Sequence, residues 1–141
     1  MAKYKLEIED DYDFVLFGIC THISDFRLAW LFNQSLGVNL VRSAKDLINY
    51  SAKQNRRTNF SCFDDVDDEH RLKIYLINNN SGSIKLVPDK KQFDFFLMIK
   101  GEIAFKPQEW LKEINQLKEV LLVMELDPMT IKHKENLIFD E

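Results

Sequence analysis

Apolar and polar positions alternate at the start of the chain. In "YKLEIE", Tyr4, Leu6 and Ile8 fall on one side and Lys5 and Glu7 on the other, the signature of a half-buried strand. "EDDYD" then turns the chain. "FVLFGIC", Phe14 to Cys20, is apolar without interruption and rich in β-favouring residues, so it predicts a strand covered on both faces. Gly18 in its middle predicts close approach by another element. The period changes in "SDFRLAWLFNQSLG". Ser24 is placed to cap a helix, Asp25 suits its positive end, and Gly37 is placed to stop it. Phe26, Ala29, Trp30 and Asn33 share one face of that helix; Leu28, Leu31, Phe32, Ser35 and Leu36 share another. A helix apolar on two sides is either sandwiched or turns one side to a partner chain.

"VNLVR" predicts a short strand, and "KDLINYSAKQ" a weak helix. "RTNFSCF" and "RLKIYLI" flank the acidic tract "DDVDDEH" and predict a hairpin with that tract at its tip. "NNNSG" is a turn signal leading into "SIKLV", so Arg57 to Val87 reads as an antiparallel meander. In "FDFFLMIK", Phe93, Phe95, Leu97 and Ile99 are assigned to one face of a strand, and Asp94, Phe96, Met98 and Lys100 to the other. "PQEWLKEINQLKE" is a second helix with Pro107 in its first turn and an apolar stripe of Trp110, Leu111, Ile114 and Leu117. "VLLVMEL" is a buried strand. A helical turn at Asp127-Pro128 and an extended tail close the chain. The strand–helix–strand run from Phe95 to Leu126 predicts one parallel pair. The whole is α+β: a single domain over residues 1–141, a largely antiparallel sheet of about five to seven strands, and two main helices packed on it.

Eleven Phe against four Gly and three Pro in 141 residues argue for a dense core and against disorder. The formal net charge of −4 gives no general attraction to nucleic acid or anionic membrane. No apolar run reaches the length of a spanning helix. The N-terminal residues do not form a secretory signal, which predicts a cytoplasmic protein with Cys20 and Cys62 reduced.

Chemistry is sparse. Asp64, Asp65, Asp67, Asp68 and Glu69 crowd together without the spacing or glycine of an EF-hand loop. His22, His70 and His133 are scattered, so no metal or other cofactor is expected. His22 stands between a strand and a helix start, where ligand sites of α/β proteins occur. It defines a candidate ligand site of Thr21, His22, Ser24 and Asp25, with Asp94 added as a carboxylate inside the most apolar stretch. A structural role for Asp94, capping a turn or pairing with a cation, is the simpler reading. "KQNRR" with Arg71 and Lys73 gives a candidate nucleic-acid strip of Arg56, Arg57, Arg71 and Lys73, with Phe60 and Tyr75 for stacking, against which the adjacent acidic run counts. No catalytic motif is present.

"VPDKKQFDF", Val87 to Phe95, resembles the motif of the IPExxxVDY family of bacterial proteins, typical of Bacteroidetes. Pro88 and Asp94 match it to the letter. Val87, Asp89, Phe93 and Phe95 stand where the motif has Ile, Glu, Val and Tyr. "DYDFVLFGI", "DFRLAWLFNQSLG", "FFLMIKG" and "KENLIF" resemble that family's other landmarks in the same order. The resemblance implies no activity, cofactor or catalytic residue. Taken together, these features predict a small binding or adaptor protein acting on a protein partner or on itself, as a homodimer for example; a small-molecule binder or enzyme near His22 and Asp94, and an RNA-binding protein, are the alternatives.

Overall fold

The computed structural model describes residues 14–44, 46–51, 56–67, 72–101, 106–132 and 134–137. The predicted "YKLEIE" strand, all of "EDDYD", Asp68, Glu69, His70, Arg71, His133 and the last four residues lie outside them. Ten strands and two helices are described: β1 (Val15–Thr21), α1 (Asp25–Leu36), β2 (Val41–Arg42), β3 (Leu47–Ser51), β4 (Arg56–Phe60), β5 (Cys62–Asp67), β6 (Leu72–Asn78), β7 (Asn80–Ser81), β8 (Ile84–Lys85), β9 (Phe95–Gly101), α2 (Pro107–Asn115) and β10 (Val120–Leu126). Six strands form one sheet in the order β10-β1-β9-β6-β5-β2, and every neighbouring pair is antiparallel. The fold is the α+β arrangement that the strand and helix patterns predict.

β1, β9 and β6 occupy the middle of the sheet and are apolar on both sides because both sides are covered. On the first face, Phe17, Ile19, Phe63, Ile74, Leu76, Phe95, Leu97 and Ile99 pack with Leu28, Ala29 and Phe32 of α1 and Ile114 of α2. On the second, Leu16, Cys62, Tyr75, Ile77, Phe96 and Met98 pack with Phe60, Leu86, Val87, Phe93, Ile131 and Leu137. α1 starts and stops where its caps place it. The Ser24 side chain accepts from the Arg27 N–H, and Gly37 takes the left-handed conformation at φ 68°. Among the described residues no helix is long and apolar enough to cross a membrane.

Several expectations need correction. β9 and β10 do run parallel, but β1 lies between them, so they form no hydrogen-bonded pair. The weak helix expected in "KDLINYSAKQ" is instead strand β3, paired with β4. Ser61 divides "RTNFSCF": Arg56–Phe60 joins that separate hairpin, whereas Cys62–Asp67 joins the main sheet beside β6. The acidic tract is therefore not simply a hairpin tip. Asp64 and Asp65 lie inside β5, where their carboxylates accept from Ser43 Oγ (2.6 Å) and the Asn39 N–H (2.9 Å). The meander also breaks: β7 and β8 leave the main sheet as a two-stranded ribbon. Phe93 precedes β9 and packs on the second face with Phe96, not on the first with Phe95. The chain's end is not extended throughout, since Lys134–Leu137 forms a 3-10 turn.

Candidate functional site

The candidate ligand residues stand at one end of the sheet, where β1 and β6 finish and β9 begins. The antiparallel order places these three strand ends side by side. Thr21, His22, Ser24, Asp25 and Asp94 all line one open cleft of about 440 Å³, joined by Asn78 and Asn80. Residues far apart in sequence thus share one wall.

Hydrogen bonds explain most of that convergence. The pairing of β1 with β10 shifts between Cys20 and Thr21. There the Thr21 N–H donates to Asp94 Oδ2 at 3.0 Å, and the Asp94 N–H donates to the Ile19 carbonyl at 2.8 Å. The carboxylate replaces a ladder partner that the irregular strand end has lost, and the charge strengthens the bond. Thr21 is itself buried. Its hydroxyl donates to the Glu119 carbonyl at 2.6 Å and fastens β1 to the turn before β10. Ser24 is spent as the α1 cap. Asp25 accepts from the Phe26 N–H and from Ser61 Oγ, both at 2.8 Å, which ties the helix start to the β4–β5 junction. His22 is exposed and, of the five, alone makes no side-chain hydrogen bond or ion pair. The Ser24 hydroxyl makes no bond with it, so the pair is no nucleophile and base. Cys20, beside the cleft, donates to the Gln92 carbonyl at 3.0 Å. Burial, and then the negative charge of Asp94, push its thiol pKa up, away from thiolate chemistry. The cleft thus offers two carboxylates, an imidazole and amide groups to a polar ligand, and no activated nucleophile.

One residue behind the cleft escaped the sequence reading. Asn79 is fully buried. Its side-chain amide donates to the Phe93 carbonyl (2.9 Å) and the Lys90 carbonyl (3.2 Å), and its side-chain oxygen accepts from the Val87 N–H (2.8 Å). Its backbone adds a bond from Leu86 and one to Asp94. Asn79 therefore holds the whole stretch from Leu86 to Asp94 in place. A signal was available, because Asn79 continues the alternation of Tyr75 and Ile77 into the core; the turn-like "NNNSG" masked it. Further along, Asp89 accepts from the Lys132 N–H at 2.8 Å and Asn136 donates to the Leu86 carbonyl at 2.6 Å, so the C-terminal turns dock on the same stretch.

The three described residues of the nucleic-acid strip lie in two different sheets. Arg56 and Arg57 begin β4, opposite Ser51 and Tyr50 in the small hairpin, while Lys73 lies on β6 in the main sheet beside Lys100. Arg71 lies outside the described residues. Phe60 and Tyr75, the expected stacking rings, are buried in the second core. No group of three or more His, Cys, Asp or Glu side chains able to hold a metal ion occurs among the described residues.

The exposed surface is more telling. Phe26 and Trp30 of α1 are 64% and 59% exposed; the Phe26 and Phe63 rings stand perpendicular with centres 5.0 Å apart. On β10, an edge of the main sheet, Leu121 is 60%, Leu122 46% and Met124 45% exposed. "VLLVMEL" is therefore buried less than its apolar run predicts, because it has β1 on one side and no described strand on the other. Compared with protein-family models, curated proteins and solved structures, the chain matches none.

Proposed function

We propose that this chain works by holding another polypeptide, as a small binding or adaptor protein and not as an enzyme. The observation that carries this reading is the β10 edge: seven residues long, apolar, and exposed at Leu121, Leu122 and Met124. Among the described residues no strand pairs with its outer side, and an edge of that kind offers backbone groups to an incoming strand and apolar side chains to what lies beside it. The polar groups of the cleft, by contrast, are mostly engaged in holding strand and helix ends. Membership of the IPExxxVDY family belongs to the same proposal. Val87 and Phe93 pack in the second core and Asp94 fastens the end of β1, so three positions of the resemblance serve the fold, which supports a structural origin for that motif.

The test is to isolate the tagged chain from its host with nuclease treatment, beside a Leu122→Lys/Met124→Lys variant shown to be folded. A stoichiometric polypeptide, including an untagged copy of the chain itself, should be retained by the wild type and lost from the variant. Recovery of neither would end the reading.

A second reading, a small-molecule site, is favoured by the convergence of Thr21, His22, Ser24, Asp25 and Asp94 on one cleft. Titration with small amines and amino alcohols, followed by the His22 imidazole signals in NMR, tests it. Silence of those signals would sink it.

A further inference from the structure

Building on the binding reading, we infer that the occupant of the β10 edge is β10 of a second copy of this chain, running antiparallel about a twofold axis at Met124, so that the two main sheets join into one. The two edges of the sheet differ in kind. At the far edge, β2 has two residues, a length that limits pairing. β10 has seven, with no proline, glycine, lysine or arginine among them. Its one irregularity, opposite Cys20 and Thr21, lies at its beginning, so Leu122–Leu126 is in unbroken register with β1. Apart from the charge of Glu125, this edge lacks the devices that prevent strand addition. Four of the nine exposed large apolar side chains among the described residues, Leu121, Leu122, Met124 and Met129, fall on this strand or just past it.

Charge selects both the partner and the register. Leu122, Met124 and Leu126 share the face of Cys20, Gly18 and Leu16. A twofold axis at Met124 sets Met124 against its own copy, Leu122 against Leu126, Val123 against Glu125, and Leu121 against Asp127 of the second copy. No like charges are directly opposed. An axis at Val123 would oppose Glu119 to Asp127, an axis at Leu122 would oppose Glu119 to Glu125, and an axis at Glu125 would oppose that residue to itself; like charges directly opposite are destabilising. Of the axes at Leu122, Val123, Met124 and Glu125, that at Met124 alone opposes no like charges. α2 packs on β10, so the twofold axis brings both copies of α2 to the same face of the joined sheet. The exposed Lys106, Glu109, Lys112 and Glu113 of each balance in sign, so the approach meets no net repulsion.

Sedimentation of the full chain at low to high micromolar concentration tests the inference. The wild type should be dimeric, and Met124→Lys, which sets two cations against each other across the axis, should dissociate at least roughly tenfold more readily while keeping its circular dichroism. Should that variant fail to fold, Met124→Cys in a Cys20→Ser background decides. Mild oxidation should join two chains through residue 124, whereas Leu121→Cys in the same background should not cross-link. A wild type that stays monomeric overturns the twofold pairing, and so does a dimer that persists in Met124→Lys. The binding reading fails separately: if the chain alone is monomeric but retains a different polypeptide through Leu122 and Met124, the edge serves that partner, the second-copy inference falls and the reading stands.

Discussion

On one face of the main sheet Phe17, Ile74, Leu97 and their neighbours meet two helices; on the other Leu16, Ile77 and Met98 meet chain with little regular structure. A helix satisfies its own interior N–H and C=O groups, so α1 and α2 need bring only an apolar face to the sheet. The segments Leu86–Asp94 and Asp127–Leu137 cannot do this. Their backbone groups find partners in particular side chains: Asn79, Asp89, Asn136 and Asp127. No described buried side-chain nitrogen or oxygen is left without a hydrogen bond. Both faces are lined by buried apolar side chains. The first depends on area spread over many residues, the second on a few polar anchors, so single substitutions should hurt the second more than their size suggests.

Asn79→Leu is the strongest test of that difference. It keeps most of the volume but strands the Val87 N–H and the Lys90 and Phe93 carbonyls, and should cost about 4 kcal/mol, read as a fall in the urea midpoint. A loss below that of an ordinary apolar truncation on the helix face, such as Leu28→Ala, would break the comparison. Gly18→Ala comes next. An added Cβ would lie 2.7 Å from the Phe93 ring, and the overpacking should cost about 2 kcal/mol. Combining it with Phe93→Leu should return roughly 1 kcal/mol as coupling, measurable in a double-mutant cycle. Asp94→Ala removes the acceptor of the Thr21 N–H and should cost about 1.5 kcal/mol, while Asp94→Asn, which keeps an acceptor, should cost less than half of that.

The smallest effect at neutral pH concerns the two thiols. Burial first of all raises the Cys62 pKa from its ordinary 9.0 to about 12. In the unfolded chain this thiol loses its proton at lower pH than in the folded one. The associated stability is complete below about pH 9 and is lost as pH climbs toward 12, so Cys62→Ala should flatten the alkaline fall in stability. Alkylation of the native protein should reach Cys20 before Cys62. Asp94→Ala should quicken the reaction at Cys20 alone, because the aspartate's charge contributes to raising that pKa.

The helix face was legible in the sequence because its signals are local. Ser24 and Gly37 mark the ends of α1, and Leu28 and Phe32 recur at helical spacing. Gly18 announced a close neighbour, although nothing local said that it would be Phe93. The second face was largely illegible. Asn79 acts on residues up to Asp94, and its own surroundings resemble a turn. The division of "RTNFSCF" at Ser61 depends on which strand each half meets, a matter settled by tertiary packing and not by β-propensity. Phe93 was assigned to the wrong face because alternation was extended two residues before the strand begins. The five cleft residues were named together from their chemistry. What remained hidden was that hydrogen bonding within the fold already engages most of them.

The place of β1 also fixes a timetable. This strand is synthesised before both of its neighbours in the sheet, Phe95–Gly101 and Val120–Leu126. Until β10 has been synthesised, one side of β1 has no edge to pair with and its apolar residues have no completed core to enter. Contacts this distant in sequence close slowly, on the order of milliseconds to seconds in domains dominated by non-local pairing. The nascent chain therefore carries "FVLFGIC" without either sheet neighbour until β9 is made and with one edge open until β10 follows, and the interval in which it is open to chaperones, or to aggregation, is set by the separation of β1 and β10 in the sequence.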